Sequence, residues 1–334
     1  MTEKYKIYLS EDTKTRLMND AELFEFIKSD GKVNLNAFLK DLIVNYFDQY
    51  REGRDVLMNS MLDDINSVKQ LKPKDAYALA DKIIRNYISY DEPASGGRSA
   101  VITLTVSGES HSVIRIIENN ALKDSSLSGY LKDMFLSYLS IPRNKREEII
   151  FAKTYELVNR AIMENRRLSF TSGSFGYMAV VEPYMIAISK DEQYGYLLCR
   201  DPRTKKLHSY RISRLSDVFI TPDTFERDEE VAEELRFKGQ RCPHSMVKDI
   251  HAVIRMTDHG KQMYKAIVKN RPSVSSVEGD LYYFDWPELQ LVDYFKRFGK
   301  DAVAIKPRSL RAKLYNYYSS SLEAYGGTGR GKKD

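Results

Sequence analysis

The sequence predicts an α+β protein built from several units, and three observations support that prediction. A short alternating strand followed by two amphipathic helices occurs near the start of the chain and again after residue 100. Between residues 177 and 215, strand-like apolar runs carry arginines and tyrosines at alternate positions. The chain has 334 residues, of which 42% are hydrophobic, and this is enough for two or three hydrophobic cores.

The first unit, residues 1–50, is predicted to contain one strand and two helices. Lys4–Leu9 alternates in the manner of a strand, and helices follow over residues 11–28 and from Asn34 to Tyr50. Ser10 and Asn34 stand where N-cap side chains accept backbone N–H bonds. Two acidic residues follow Ser10 in the first turn, where the helix dipole favours them.

The same order recurs in the second unit, residues 96–145. A strand over residues 101–107 precedes two helices, and residues 130–138 match residues 38–46 with Leu, Lys, Asp and Tyr at equal places. The connector between the units, residues 51–95, holds one or two helices and a soft stretch at 91–97. We expect the two strands to pair within one chain, because a lone strand has no hydrogen-bond partner. Exchange between two chains is the alternative.

The outward side of such a two-stranded ribbon carries polar residues. If the apolar side of each strand faces the helices, the exposed residues are Lys4, Lys6, Tyr8, Thr103 and Thr105. Lysine suits phosphates or guanine and threonine suits either type of base, so this side is a candidate DNA contact. A dimerisation scaffold with an ordinary solvated side is the alternative.

The central unit, residues 146–222, combines a leading helix with a β-rich segment that contains many cations. The helix is predicted from Arg143 to Arg167, so its end delivers Arg166 and Arg167 into the first strand. Residues 151–222 contain eleven lysines and arginines against seven acids, although the whole chain has a net charge of only +5. Guanidinium groups beside aromatic rings suit phosphates and unstacked bases. We therefore expect a nucleic-acid or nucleotide site here.

Three arginines of this unit are expected to converge on one groove. Arg200, Arg211 and Arg214 lie in a segment with few acids, where they would repel one another without an anionic ligand. The candidate binding residues are Arg166, Arg167, Ser169, Tyr184, Tyr196, Arg200, His208, Tyr210, Arg211 and Arg214. These residues also have structural explanations. Arg167 is alternatively a cation stabilised by the dipole at a helix C-terminus, and the tyrosines are alternatively core residues. His208 has no triad partner, and we expect a polar contact there rather than a catalyst.

The rest of the chain is predicted to hold an acidic linker (223–245), a small α+β sandwich (246–325) and a flexible basic tail (326–334). Only Cys199 and Cys242 are present, and they lack metal-ligand spacing. We therefore expect reduced thiols, no metal and no cofactor. The sequence shows no signal peptide and no run of about 20 apolar residues, so the expected location is the cytoplasm, with no membrane contact.

Three segments of the central unit resemble the WYL domain family. They are Pro183-Tyr184, Tyr196-Leu197 before Cys199-Arg200, and the run 210–215. The resemblance implies a small Sm-like β-barrel that binds nucleic acid or a nucleotide-like effector. Gly195 stands where that family has the tryptophan of its name.

The flanking units resemble two further folds. Both N-terminal units resemble the ribbon-helix-helix fold in order, length and capping. Residues 246–325 resemble the C-terminal extension of WYL proteins, with Phe298-Gly299, Pro307 and Leu310-Arg311 at its closing segment. In full, this order resembles the WYL accessory proteins of type VI-D CRISPR systems. That resemblance implies a non-catalytic homodimer that binds single-stranded RNA and raises the activity of an RNA-guided CRISPR ribonuclease.

Two other hypotheses remain open at this point. The chain is alternatively a ligand-gated transcription regulator, with the ribbon on operator DNA and the WYL cleft sensing a nucleotide. A nuclease or nucleotide hydrolase is the third hypothesis, but neither metal-binding carboxylates nor a nucleophile with its base stands out, and we expect no enzyme activity. Backbone arginines and stacking rings serve RNA and DNA alike, so the pattern does not separate the two.

Overall fold

The structure is a computed structural model, and it describes residues 2–84, 99–122, 126–172, 178–189 and 193–326. The predicted soft stretch 91–97, Tyr177 and the tail from residue 327 lie outside the described residues. The elements fall into an N-terminal, a middle and a C-terminal unit.

The N-terminal unit contains a ribbon of two strands packed on helices. Its elements are β1 (Glu3–Ser10), α1 (Glu11–Leu23), α2 (Leu35–Val68), α3 (Pro73–Ile83), β2 (Ser99–Val106), α4 (Glu109–Asn120) and α5 (Leu127–Ser140). β1 and β2 pair antiparallel along their whole length within one chain. The strands of the repeated pattern therefore pair without a second copy of the chain.

Two positions that match in the repeated sequence pattern, Asn36 and Ser128, make similar contacts in the two halves of this unit. Asn36 on α2 uses both ends of its amide on Thr105 of β2: Oδ1 accepts the N–H at 2.7 Å and Nδ2 donates to the carbonyl at 3.1 Å. In the other half, Ser128 Oγ on α5 accepts the Tyr8 N–H at 2.9 Å. Each second helix is thus fastened to the strand of the other half.

The predicted starts of α1 and α2 are confirmed, and both predicted ends are wrong, since α2 continues to Val68 rather than ending at Tyr50. Ser10 Oγ and Asn34 Oδ1 each accept a backbone N–H three residues ahead. α1 ends at Leu23 rather than Lys28, because Glu25 adopts a left-handed conformation with φ of 64°. Residues 24–34 then form the turn that connects α1 and α2.

The helix that leads into the middle unit is broken in two. α6 (Arg143–Ile150) and α7 (Ala152–Met163) meet at Phe151, whereas the sequence predicted one continuous helix. The Phe151 ring packs edge-on against Phe24, with centroids 6.0 Å apart. The bend therefore lies where the chain contacts the N-terminal core.

The middle unit is an open five-stranded sheet. Its strands are β3 (Arg166–Ser172), β4 (Met178–Ile188), β5 (Gly195–Arg200), β6 (Leu207–Arg211) and β7 (Leu215–Thr224), with a 3₁₀ turn over Ile212–Arg214. The order is β6-β5-β4-β3-β7, and all neighbours are antiparallel. β6 and β7 do not pair, so among the described residues the sheet does not close into the expected Sm-like barrel.

Both faces of this sheet are covered by helices. α7 packs on the face that carries Phe170 and Leu197, and α8 (Glu229–Arg241) packs on the face that carries Tyr184 and Leu198. α8 lies in the segment predicted to be a solvated acidic helix and linker. The helix is present, but it is not solvated on all sides, because Leu235 of α8 is fully buried against the sheet.

The C-terminal unit is a four-stranded sheet with helices. Its elements are β8 (Asp249–Met256), α9 (Asp258–Ala266), β9 (Ser276–Glu278), β10 (Leu281–Pro287), α10 (Glu288–Phe295), β11 (Ala302–Lys306) and α11 (Arg308–Gly326). The strand order is β11-β8-β10-β9. Phe284, Tyr294, Phe295 and Leu310 are buried at the centre of its core, and the unit contains both strands and helices.

Candidate functional site

A cleft of about 540 Å³ opens at one end of the five-stranded sheet, where β5 ends and α8 begins. Strands β3, β4 and β5, the loop after β5 and the segment from β7 to α8 contribute its walls. The lining residues are Arg167, Glu182, Arg200, Lys205, Thr224, Phe225, Glu226, Arg227 and Asp228. Cations and acids are mixed in this lining, so the pairing between them decides which charges can meet a ligand.

A buried ion pair forms the floor of the cleft. Arg200 Nε donates to Glu182 Oε2 at 2.7 Å, and Arg200 Nη1 donates to Asp228 Oδ2 at 3.1 Å. Asp228 is also the N-cap of α8. Because Glu182 is only 2% exposed, its charge requires these donors. Arg200 is therefore committed to protein groups rather than presented to a ligand.

Two other cations around the cleft are held more loosely. Lys205 Nζ and Arg167 Nη2 each lie 3.7 Å from Glu182 Oε1, beyond the range of a good hydrogen bond. The Arg167 Nε is buried and has no hydrogen-bond partner among the described residues. Lys205 and Arg167 can turn to an anion that enters the cleft. Arg227 is held more firmly, because its Nη1 donates to the Tyr184 carbonyl at 3.3 Å and its Nε lies 3.3 Å from Glu229 Oε1.

The Tyr184 ring supports two arginines of the cleft, and Phe225 packs on Tyr184. The Tyr184 ring centre lies 5.6 Å from Arg200 Cζ and 5.3 Å from Arg227 Cζ, within cation–π range. Burial raises the pKa of the Tyr184 hydroxyl, which accepts the Asp228 N–H at 3.4 Å. Phe225 packs on Tyr184 with centroids 5.6 Å apart and keeps a partly exposed ring. Phe225 is therefore the ring that a ligand in the cleft can reach.

Arg211 and Arg214 lie at a different place, where the sheet meets the turn between α1 and α2. Arg214 Nε and Nη2 both donate to Glu25 Oε1, at 2.9 and 2.6 Å. Arg211 Nη2 donates to the Leu23 carbonyl at 2.9 Å. The Arg211 guanidinium also lies 3.4 Å from the centre of the Tyr194 ring. These two arginines join the middle unit to the N-terminal unit.

The expected convergence of three unpaired arginines on one groove does not hold. Arg200, Arg211 and Arg214 each have a carboxylate partner. Arg211 lies opposite Tyr196 in the β5–β6 register, which places it about 14 Å from Arg200 along the strands. Arg167 lines the cleft with Arg200, away from Arg211 and Arg214. The cations form two groups at opposite ends of β5.

Six other predicted residues do not line the cleft: Arg166, Ser169, Tyr184, Tyr196, His208 and Tyr210. Tyr196 is buried beneath α8, and Tyr210 packs edge-on against Phe170 on the opposite face. His208 stacks on Tyr210. Arg166 Nε donates to a backbone carbonyl and Ser169 is buried. Neither Tyr196 nor Tyr210 offers a ring to a ligand in the cleft.

The ribbon presents the side that the sequence predicted. Lys4, Lys6, Tyr8 and Thr103 are exposed, and Tyr8 retains 58% of its surface. Thr105 is partly covered because the Asn36 amide holds its backbone. The outward side thus carries two lysines and one tyrosine.

Sequence reasoning missed the groups that complete the cleft. Glu182, Phe225, Arg227 and Asp228 were not among the candidate residues, and Lys205 entered only as part of a charge count. The sequence contained one signal for this site, the acidic residue Glu182 within an apolar strand. A carboxylate that is buried in a strand needs a cation on the neighbouring strand. Knowing that Arg200 is that cation requires the strand register.

The chain is similar in fold to one solved structure over nearly its whole length. That structure is described as the crystal structure of a CRISPR Cas-related protein; it shares 19% sequence identity and a TM-score of 0.72, with 99% of this chain and 96% of that chain covered. Proteasome accessory factor B/C of Arthrobacter aurescens also matches, at 10% identity and a TM-score of 0.28 over 67% of this chain and 37% of that one. The second likeness is too low to support an argument. No family model and no curated protein matches the chain.

The described residues contain neither a metal-binding cluster nor a helix that could span a membrane. No group of three or more His, Cys, Asp and Glu side chains there is arranged to hold a metal ion. Among the helices described above, none combines the length and hydropathy of a membrane span.

Proposed function

We propose that the protein is a non-catalytic accessory protein that binds single-stranded RNA in the cleft at the end of β5. The observation that carries the proposal is the pair of loosely held donors, Arg167 and Lys205. They lie beside a buried pair, Glu182 and Arg200, that fixes the floor. A fixed floor with adjustable cations above it suits the phosphates of a flexible chain.

The partly exposed Phe225 ring, which lines the cleft, favours single strands over duplexes. Stacking of a base on an aromatic side chain contributes about 1–3 kcal/mol per base. In a duplex the bases are already stacked on one another and only backbone groups are accessible to such a ring. A strand with splayed bases can use Phe225 and the cations together, whereas a duplex can use only the cations.

A binding series at fixed salt tests the proposal. Single-stranded RNA, single-stranded DNA and duplex RNA of equal length are compared by fluorescence anisotropy. We expect both single strands to bind more tightly than the duplex, and Phe225→Ala to remove most of that difference. Equal affinity for all three ligands would contradict the stacking role. Loss of RNA length in the absence of any partner would contradict the non-catalytic assignment.

The proposed protein partner is an RNA-guided CRISPR ribonuclease whose activity this protein raises. Support comes from the likeness in fold to a protein described as CRISPR Cas-related over 99% of this chain, together with the motifs that resemble WYL accessory proteins. The test is the cleavage rate of such an effector with and without the protein. A rate that does not change with added protein would contradict this partner.

A homodimer is the proposed assembly. The outer part of α11 exposes Tyr315, Leu322 and Tyr325 at 71%, 74% and 85%, and exposed aromatic stripes of this kind mark contact surfaces. Sedimentation of the full chain tests the proposal. We expect a dimer for the wild type and a monomer when the three residues are changed to Ser. A wild-type monomer at micromolar concentration would contradict it.

A second candidate function rests on the ribbon. Its outward lysines, Lys4 and Lys6, and the exposed Tyr8 suit a DNA groove, so the chain is alternatively a transcription regulator whose cleft senses a nucleotide. Footprinting on the promoter of its own gene tests this function. Protection that is lost in a Lys4→Ala/Lys6→Ala variant would favour it over RNA binding.

A further inference from the structure

One carboxylate oxygen joins the N-terminal unit to two arginines of the middle unit. Glu25 Oε1 accepts two hydrogen bonds from Arg214 and lies 3.6 Å from Arg211 Nη1. Three guanidinium nitrogens thus surround one carboxylate oxygen. Arginines surround a phosphate oxygen in the same way. Glu25 therefore occupies a position that suits a phosphate.

The two arginines differ in how firmly they are held. Arg211 donates to the Leu23 carbonyl and to Ser213 Oγ, packs on Tyr194, and has a side chain only 10% exposed. Arg214 is 46% exposed, and within the described part of the chain it donates hydrogen bonds to Glu25 alone. Arg211 thus fastens the units together, while Arg214 depends on one exposed ion pair.

Glu25 can break its ion pair with Arg214 while its neighbours in the turn keep their contacts with Phe151. Its neighbours Phe24 and Phe26 pack on Phe151, with centroids 6.0 and 6.2 Å apart. Glu25 itself is 43% exposed on its side chain and sits in a left-handed conformation that non-glycine residues seldom adopt. A change of the Glu25 rotamer would free Arg214 and leave the phenylalanine contacts in place.

We propose that Glu25 is an internal competitor for nucleic acid: it covers Arg214, and a strand bound in the cleft displaces it to add a phosphate contact at the far end of β5. The inference rests on the proposed function, because it concerns the same ligand. The span between the two cation groups, about 14 Å along the strands, means that only an oligonucleotide can use both. A mononucleotide or a dinucleotide in the cleft would leave Glu25 in place.

The test compares Glu25→Gln with a matched control, Glu22→Gln. Glu22 is an exposed acid on the last turn of α1, so the control removes the same charge from the same neighbourhood without touching Arg214. For a single-stranded RNA of about 16 nucleotides, we expect Glu25→Gln to bind about two- to fivefold more tightly than the wild type, in line with an exposed ion pair. Glu22→Gln should bind as the wild type does, and Arg214→Ala should cancel the gain in the Glu25→Gln background. A dinucleotide should not distinguish any of the variants.

A second readout follows the turn directly. Hydrogen exchange at the backbone N–H groups of residues 24–34 in the full chain should become faster when the RNA binds, because the ion pair that ties the turn to the sheet is broken. If Glu25→Gln binds no more tightly than Glu22→Gln, or if exchange in the turn is unchanged by RNA, the competitor role is overturned while the binding cleft stands. If the wild type binds no nucleic acid at all, both proposals are overturned.

Discussion

Glu182 on β4 and Arg200 on β5 lie opposite each other in the strand register, and their side chains meet in a hydrogen bond of 2.7 Å on a carboxylate that is almost fully buried. Removing one partner of a buried pair leaves a charge without compensation. The pair therefore ties the stability of the sheet to the shape of the cleft above it.

Arg200→Met should lower the free energy of unfolding by about 3–5 kcal/mol, because Glu182 loses its principal donor. Arg167 and Lys205, each 3.7 Å from the same carboxylate, can move closer and bring the loss to the lower end of that range. The loss is measured by urea unfolding. The double variant Glu182→Leu/Arg200→Met should recover most of the loss, and a cost below about 1 kcal/mol for Arg200→Met alone would refute the role of the pair.

Gly195→Ala should be destabilising, since an added Cβ would lie 1.9 Å from the Tyr155 hydroxyl oxygen and 2.9 Å from its Cζ. We expect a cost of about 1–3 kcal/mol, typical of overpacking, measured by thermal unfolding. Tyr155→Phe in the same chain should restore part of it by removing the nearest atom. The matched control is Gly53→Ala on the exposed part of α2, where no atom lies within 4 Å of the new Cβ; it should be stabilising by about 0.5–1 kcal/mol. If Gly53→Ala lowered the unfolding temperature while Gly195→Ala left it unchanged, the packing around Gly195 would be contradicted.

Asn36→Ala and Ser128→Ala should differ in cost although they occupy equivalent places in the two halves of the N-terminal unit. Asn36 makes two hydrogen bonds to the backbone of Thr105, and Ser128 accepts one from Tyr8. Each hydrogen bond contributes about 0.5–1.5 kcal/mol net. Asn36→Ala should therefore lower the free energy of unfolding, measured in urea, about twice as much as Ser128→Ala does. Equal losses would show that the ribbon is not fastened in this way.

Glu147→Gln should alter the pH dependence of stability. Burial raises the pKa of the Glu147 carboxyl above its usual 4.5, although the Gly195 N–H, Ser213, the Arg211 guanidinium and the Tyr155 hydroxyl oppose the shift. A raised carboxyl pKa means that the folded state holds its proton more tightly than the unfolded state does. The resulting stability is fully present below pH 4.5 and is lost as the pH rises through the folded-state pKa.

Urea unfolding of the wild type and the Glu147→Gln variant at several pH values measures that effect. The stability of the wild type relative to the variant should fall as the pH rises from acid towards neutrality. Glu148→Gln, at a partly exposed neighbour paired with Lys145, serves as the control and should show no such trend. A difference between wild type and Glu147→Gln that is constant across this range would contradict the raised pKa.

Much of the fold could be predicted because its signals are local. The caps at Ser10 and Asn34 are side chains that bond three residues ahead, so the sequence alone contains the whole interaction. The early end of α1 could not be predicted, because Glu25 adopts a left-handed backbone that usually requires glycine or asparagine. The break between α6 and α7 at Phe151 could not be predicted for a different reason. The Phe151 ring packs on Phe24, which is far away in the sequence.

The candidate site was predictable only in part. Strand alternation correctly placed Arg200 on the same face as Tyr196, and the excess of cations pointed to the right unit. The partners of the arginines were not predictable, because Glu25 and Asp228 reach them from outside the segment that was considered. Pairing across such distances depends on how helices dock on the sheet, and no local pattern encodes it.

The most direct test of the central claim is the salt dependence of RNA binding by the Lys205→Ala variant. Lys205 is 59% exposed and held only by a loose ion pair, so its removal should leave the fold intact. The account predicts weaker binding and a slope of log K against log salt that is shallower by about 0.7, the value for one phosphate contact on a single strand. Lys153→Ala, on the helix that covers the opposite face, should match the wild type in both quantities. An affinity and a slope for Lys205→Ala that equal those of the wild type would contradict the claim that this cleft binds nucleic acid.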